Sequence, residues 1–60
     1  MHIIKESKTY ILLYVRNTEE PGVYQILERM EGVTRPQVCG VYSNKRDALS
    51  DFAKLAKANG

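Results

Sequence analysis

The run Tyr10-Ile11-Leu12-Leu13-Tyr14-Val15 constrains this chain more than any other feature. It is the longest apolar stretch and falls far short of the ~20 residues that cross a bilayer. It is also short for a helix, and it runs into the turn-rich Asn17-Thr18-Glu19-Glu20-Pro21-Gly22. Aromatic and aliphatic residues bounded by turn formers read as a strand. Successive strand residues point to opposite faces, so Ile11, Leu13 and Val15 share one face and Tyr10, Leu12 and Tyr14 the other. Both faces are apolar, and such a strand needs cover on both sides.

Cover is in short supply. The chain has 60 residues and reads as one small domain spanning 1–60, with residues 1–7 and 59–60 as loose ends. A chain of this length buries only about 60% of the surface it exposes when unfolded, and the usual supplements are disulfides, a metal or a second subunit. Cys39 is the only cysteine and His2 the only histidine. An intrachain disulfide and a four-ligand zinc site are therefore excluded. The start, Met1-His2-Ile3-Ile4-Lys5-Glu6, turns polar after two apolar residues and shows no signal-peptide pattern, which with the lone cysteine fits the cytoplasm. No membrane association is expected.

The clearest element is the last. From Ala48, a step of 100° per residue gathers Ala48, Leu49, Phe52, Ala53, Leu55 and Ala56 into one apolar arc, with Arg46, Asp47, Ser50, Asp51, Lys54 and Lys57 opposite. Asn44 stands at the N-cap, Asp47 three residues later takes a position like that of a capping box, and Asn59-Gly60 supplies a stop. Gln37-Val38-Cys39-Gly40-Val41-Tyr42 reads as a strand leading into this helix. Val23, Ile26, Leu27 and Met30 carry helical spacing, with Thr18 as a cap, but Pro21-Gly22 sits where that helix would nucleate. The preferred fold is therefore α+β, a three-stranded antiparallel meander with one C-terminal amphipathic helix packed across it (β-β-β-α). The alternative is β-α-β-α.

One helix covers one sheet face, so the other should look polar; in this chain it does not. The reading taken puts Ile11, Leu13, Val15, Tyr24, Ile26, Cys39 and Val41 under the helix. It leaves Tyr10, Leu12, Tyr14, Gln25, Leu27, Arg29 and Tyr42 on the open face, a composition like that of protein interfaces. Tyr10, Leu12, Tyr14, Leu27, Arg29 and Tyr42 are thus the candidate partner-binding residues, with Leu12 and Tyr14 as anchors and Arg29 as an orienting charge. A solvated strand face carrying tyrosines is the bland alternative.

Catalytic and ligand signals are sparse. His2 lies next to the chain start, and Cys39 sits mid-strand with no histidine nearby and reads as an inert core residue. The glycines at 22, 32, 40 and 60 form no phosphate cradle. Asp47 and Asp51, flanked by Lys and Arg, read as a solvated helix face and not a metal site. Glu19-Glu20 lie in a turn with nothing to bury them and tune their pKa. No cofactor, metal or catalytic residue is expected, and the chain is expected not to be an enzyme.

Net charge is +2, all of it in the second half. Arg35, Lys45, Arg46, Lys54 and Lys57 would carry a nucleic-acid-binding role, but nucleic-acid binders of this size usually show a stronger basic stripe. The order of elements resembles the sheet-based DNA-binding arms of phage integrases and plant AP2-type factors. That resemblance covers topology alone and carries no contact residue over. The functional expectation is a small non-enzymatic protein-interaction module, an adaptor or inhibitor of a larger protein of the kind compact phage genomes encode, which also self-associates as a homodimer. The alternative is a nucleic-acid-binding regulator.

Overall fold

A computed structural model describes residues 2–16, 18, 19 and 21–59 of the chain. The run of apolar residues forms a strand, as its length and boundaries predict, and it is the second of four: β1 (His2–Glu6), β2 (Tyr10–Val15), β3 (Val23–Glu28) and β4 (Gln37–Tyr42) precede one helix, α1 (Lys45–Asn59). The strands pair antiparallel in the order β1-β2-β3-β4. The class is α+β as expected, but the meander has four strands and not three.

The added strand comes from residues expected to be a loose end. His2 pairs with Tyr14 and Glu6 with Ile11, and the register shifts between Ile3 and Lys5. That bulge breaks the two-residue alternation by which a strand is recognised: Ile3 stands opposite Leu13, Ile4 packs against the core beneath the helix, and Lys5, the next residue, is paired with Leu12 of that same side. The β1–β2 turn is closed by Ser7, whose Oγ accepts from the Tyr10 amide at 3.0 Å while the Ser7 amide donates to the Tyr10 carbonyl at 2.8 Å.

Residues 23–28 are strand, not helix, which removes the β-α-β-α alternative. Pro21-Gly22 withholds a helical first turn, and β3 finds partners on both sides, with Leu12 opposite Ile26 in β2 and Ile26 opposite Gly40 in β4. The Met30–Val33 turn is closed by the Val33 amide on the Met30 carbonyl at 3.1 Å, with Gly32 at φ +79°, the left-handed position that glycine fills at least cost.

Helix α1 starts as expected. Asn44 Oδ1 accepts from the Asp47 amide at 2.9 Å, and Asn44 Nδ2 donates to Asp47 Oδ2 at 3.0 Å. The helix runs through Asn59, so the expected loose end at 59 is helical; Gly60, read as its stop, lies outside the described residues, as do Asn17 and Glu20. Helix α1 packs over β2, β3 and β4, and among the described residues it makes no close backbone approach to β1. Its Ala48 and Phe52 close the core over Tyr10, Leu12 and Ile26, with Leu12 and Ile26 fully buried and paired across the sheet.

Candidate functional site

Cross-strand partners share a face, so the Leu12–Ile26 pair under the helix settles both sides of the sheet. Tyr10, Leu12 and Tyr14 of β2 lie on the helix side with Tyr24 and Ile26 of β3. Ile11, Leu13 and Val15 lie on the other side with Val23, Gln25 and Leu27. Pairing extends that second face to Ile3 of β1 and to Val38 and Val41 of β4.

The expected assignment is right for β3 and inverted for β2 and β4. Tyr24 and Ile26 are under the helix and Gln25 and Leu27 are on the open face, as read. Tyr10 (3% exposed) and Leu12 (0%) are core residues. Tyr42 packs against that core, and Tyr14 packs on Tyr24 in a tilted arrangement, ring centroids 4.9 Å apart and planes at 47°. None of these four presents an open-face surface. Ile11, Leu13, Val15 and Val41, expected under the helix, are on the uncovered side.

The rings of Tyr14 and Tyr42 each lie over a glycine. A Cβ on Gly22 would run into the Tyr14 ring, and one on Gly40 would come within 2.7 Å of Tyr42 Oη, so each ring occupies the space a glycine leaves. Tyr42 Oη also donates to Asp51 Oδ2 of α1 at 2.8 Å. Arg29, expected to orient a partner, is engaged within the chain: its Nη1 donates to the carbonyl of Ser7 at 2.8 Å and its Nη2 pairs with Glu6. It braces the β1–β2 turn at the end of the open face.

The face that remains is aliphatic. Leu13 is its centre, 7% exposed yet outside the cluster under the helix, flanked across the strands by Ile3 and Gln25. Toward the edges Ile3, Val38 and Val41 are 55%, 53% and 60% exposed. Among the described residues no charged side chain stands in its interior; Glu6, paired opposite Ile11, and Arg29 mark one end. Four strands ~4.8 Å apart, each about six residues at ~3.3 Å, give a sheet footprint on the order of 400 Å².

Cys39 is not a core residue. It is exposed, at the register shift in β4 between the residues opposite Ile26 and Leu27. Partial burial, and then the negative charge of Glu28, push its thiol up from the ordinary value, opposite to the shift that activates a nucleophilic cysteine. His2 and Cys39 stand on the two opposite edge strands. Among the described residues no three His, Cys, Asp or Glu side chains form a metal-ligating group, and no helix is long and apolar enough to cross a membrane.

The residues of the nucleic-acid alternative are all exposed: Arg35 in the β3–β4 connection, and Lys45, Arg46, Lys54 and Lys57 on α1. Exposed Asp47 shares the helix with them. Comparison of the chain with models of known protein families, with characterised proteins and with solved structures finds no match.

Proposed function

We propose that this chain is a small non-enzymatic protein-interaction module, an adaptor or inhibitor acting in the cytoplasm through the uncovered aliphatic face of its sheet. The observation that carries the reading is that Ile3, Ile11, Leu13, Leu27 and Val41 form one continuous uncharged surface on the side away from α1. Apolar area removed from water contributes about 25 cal/mol per Å², so an aliphatic sheet face of this size is stabilised by contact with another apolar surface. The non-enzymatic reading is supported by the separation of His2 from Cys39 and by the raised thiol pKa. The nucleic-acid alternative has less support, because Asp47 and Asp51 interrupt the basic residues of α1.

The test is capture from lysate with immobilised wild type, Val41→Asp and Lys57→Glu. Val41 is exposed on the sheet face and Lys57 on the helix, so neither change touches the core. Val41→Asp is expected to lose the proteins that wild type and Lys57→Glu both retain. Identical capture by all three overturns the reading.

A further inference from the structure

We infer that β1 is a detachable strap latched by Arg29. It leaves the sheet in a step of its own while the core under α1 stays closed, and its departure bares the outer edge of β2.

Strand β1 is held by one neighbour. Among the described residues β2, β3, β4 and α1 each approach at least two other elements, whereas β1 approaches β2 alone. The buried cluster of Tyr10, Leu12, Ile26, Ala48 and Phe52 comes from β2, β3 and α1. From β1 only Ile4 packs at its margin, partly buried, and the rest of the strand is exposed. Segments with few buried apolar contacts open at lower free energy than the core. Three strands packed against a helix suffice for a stable unit, so the loss of β1 leaves β2, β3, β4 and α1 standing.

The bulge weakens the attachment further. It turns Ile4 and Lys5 in succession toward the Leu12 side, and a bulge leaves one residue of the ladder unpaired. Lys5 stands opposite fully buried Leu12 yet is itself exposed. A charge therefore occupies the position from which an apolar side chain would cover the core.

Against this stands Arg29, the residue after β3. Its amide donates to the Thr9 carbonyl at 2.7 Å, which fixes its backbone at the start of β2. Its side chain reaches past that strand: Nη1 donates to the carbonyls of Ser7 at 2.8 Å and Lys8 at 3.3 Å, and Nη2 pairs with Glu6, the last residue of β1. A guanidinium presents its donors in a fixed planar fork, so one residue holds the end of β1 and its turn together. Both partners of the ion pair face water, and salt screens exposed charges. The latch is thus sensitive to ionic strength, while the apolar core is not held by charge.

What the strap covers gives its opening a consequence. Tyr10–Val15 contains no charge, glycine or proline, and an unpaired strand edge of this kind is a template to which another strand adds. With β1 in place that edge is closed; with β1 detached it is open, and Ile3 has left the uncovered face.

Residue-resolved hydrogen exchange by NMR tests this with wild type, Arg29→Gln and Gly32→Ala. The β1 amides that face β2, and the β2 amides that face β1, should be protected about tenfold less than Ile26 and Phe52. Gly32→Ala, at the β3–β4 turn, should reduce the protection of Ile26 and Phe52 about tenfold and leave that of β1 unchanged, because it destabilises the strapped and unstrapped forms alike. Equal losses in β1 and the core would show that β1 opens only when the whole domain unfolds, and would overturn the strap. Arg29→Gln should lower β1 protection about fivefold, and added salt should do the same to wild type but little to the variant. A β1 protection indifferent to both overturns the latch. Arg29 is exposed, so the variant is expected to fold; should it not, the salt dependence of β1 in wild type decides the latch in its place.

Discussion

The phenol of Tyr42 donates a 2.8 Å hydrogen bond to the Asp51 carboxylate, tying edge strand β4 to helix α1. That bond, then partial burial and the negative charge of Asp51, raise the Tyr42 pKa above its ordinary value. The folded state therefore holds the phenol proton more tightly than the unfolded state, where the pKa is about 10. The resulting stabilisation is fully present below that value and is lost as pH rises through the higher folded-state value. Tyr42→Phe should melt lower than wild type at neutral pH, and the gap should narrow on the alkaline side of about pH 10. Thermal melts of both proteins across that range check it; a constant gap would show that the hydrogen bond does not couple to folding.

Phe52 is the helix residue that closes the core over Leu12 and Ile26, and it is 3% exposed. Removing its ring leaves a cavity that so thin a core cannot collapse into. Phe52→Ala should cost about 3 to 5 kcal/mol, enough to unfold a domain of this size. An unchanged denaturant midpoint would show that α1 is not the lid of the core.

The two faces of β2 make a sharper comparison. Leu12→Asp puts a carboxylate into a fully buried site, whereas Val15→Asp, on the opposite face and only partly buried, leaves the core under the helix intact. An unpaired buried charge costs several kcal/mol or forces the group to neutralise. Leu12→Asp should lose the helical circular dichroism signal and Val15→Asp should keep it. The reverse result would mean that the helix lies on the other side of the sheet.

The same pair shows what was legible in the sequence. The helix, its Asn44–Asp47 cap, β2 and β4 follow from local pattern, because each is set by residues within one turn or one alternation, whereas the helical spacing of Val23, Ile26, Leu27 and Met30 leaves β3 to be read from Pro21-Gly22 before it. That a single helix leaves an apolar sheet face uncovered also follows from counting. Which face is uncovered does not, since β2 is apolar on both sides and the choice depends on cross-strand register. Leu12 meets Ile26 through the β2–β3 register, and a one-residue slip exchanges the faces. Tyrosines suggest a partner surface by composition, yet here Tyr14 and Tyr42 fill space left by Gly22 and Gly40 under the helix. Strand β1 is hidden by its bulge, which turns two successive residues, Ile4 and Lys5, toward the Leu12 side and so spoils the alternation.

Gly32 carries a purely conformational requirement. Its φ is +79° and nothing lies within 4 Å of where a Cβ would stand, so substitution meets no clash. Gly32→Ala should cost about 1 to 2 kcal/mol from the left-handed backbone alone, without altering association through the sheet face. A larger loss in chemical denaturation would mean that the Met30–Val33 turn also sets the register between β3 and β4.

Cys39 links the open edge to a charge on the neighbouring strand. Its thiol is raised by partial burial and by Glu28, and the thiolate is the reactive form. Glu28→Gln removes the negative charge, lowers the thiol pKa and increases the thiolate fraction at any pH below it. Alkylation by iodoacetamide, followed by mass spectrometry at fixed mildly alkaline pH, should therefore be faster in Glu28→Gln than in wild type. The advantage should shrink with added salt, because the two groups face water and salt screens exposed charges. Equal rates at low salt would assign the depressed reactivity of Cys39 to the packing of the bulge alone, and a slower variant would contradict the placement of Glu28 beside it.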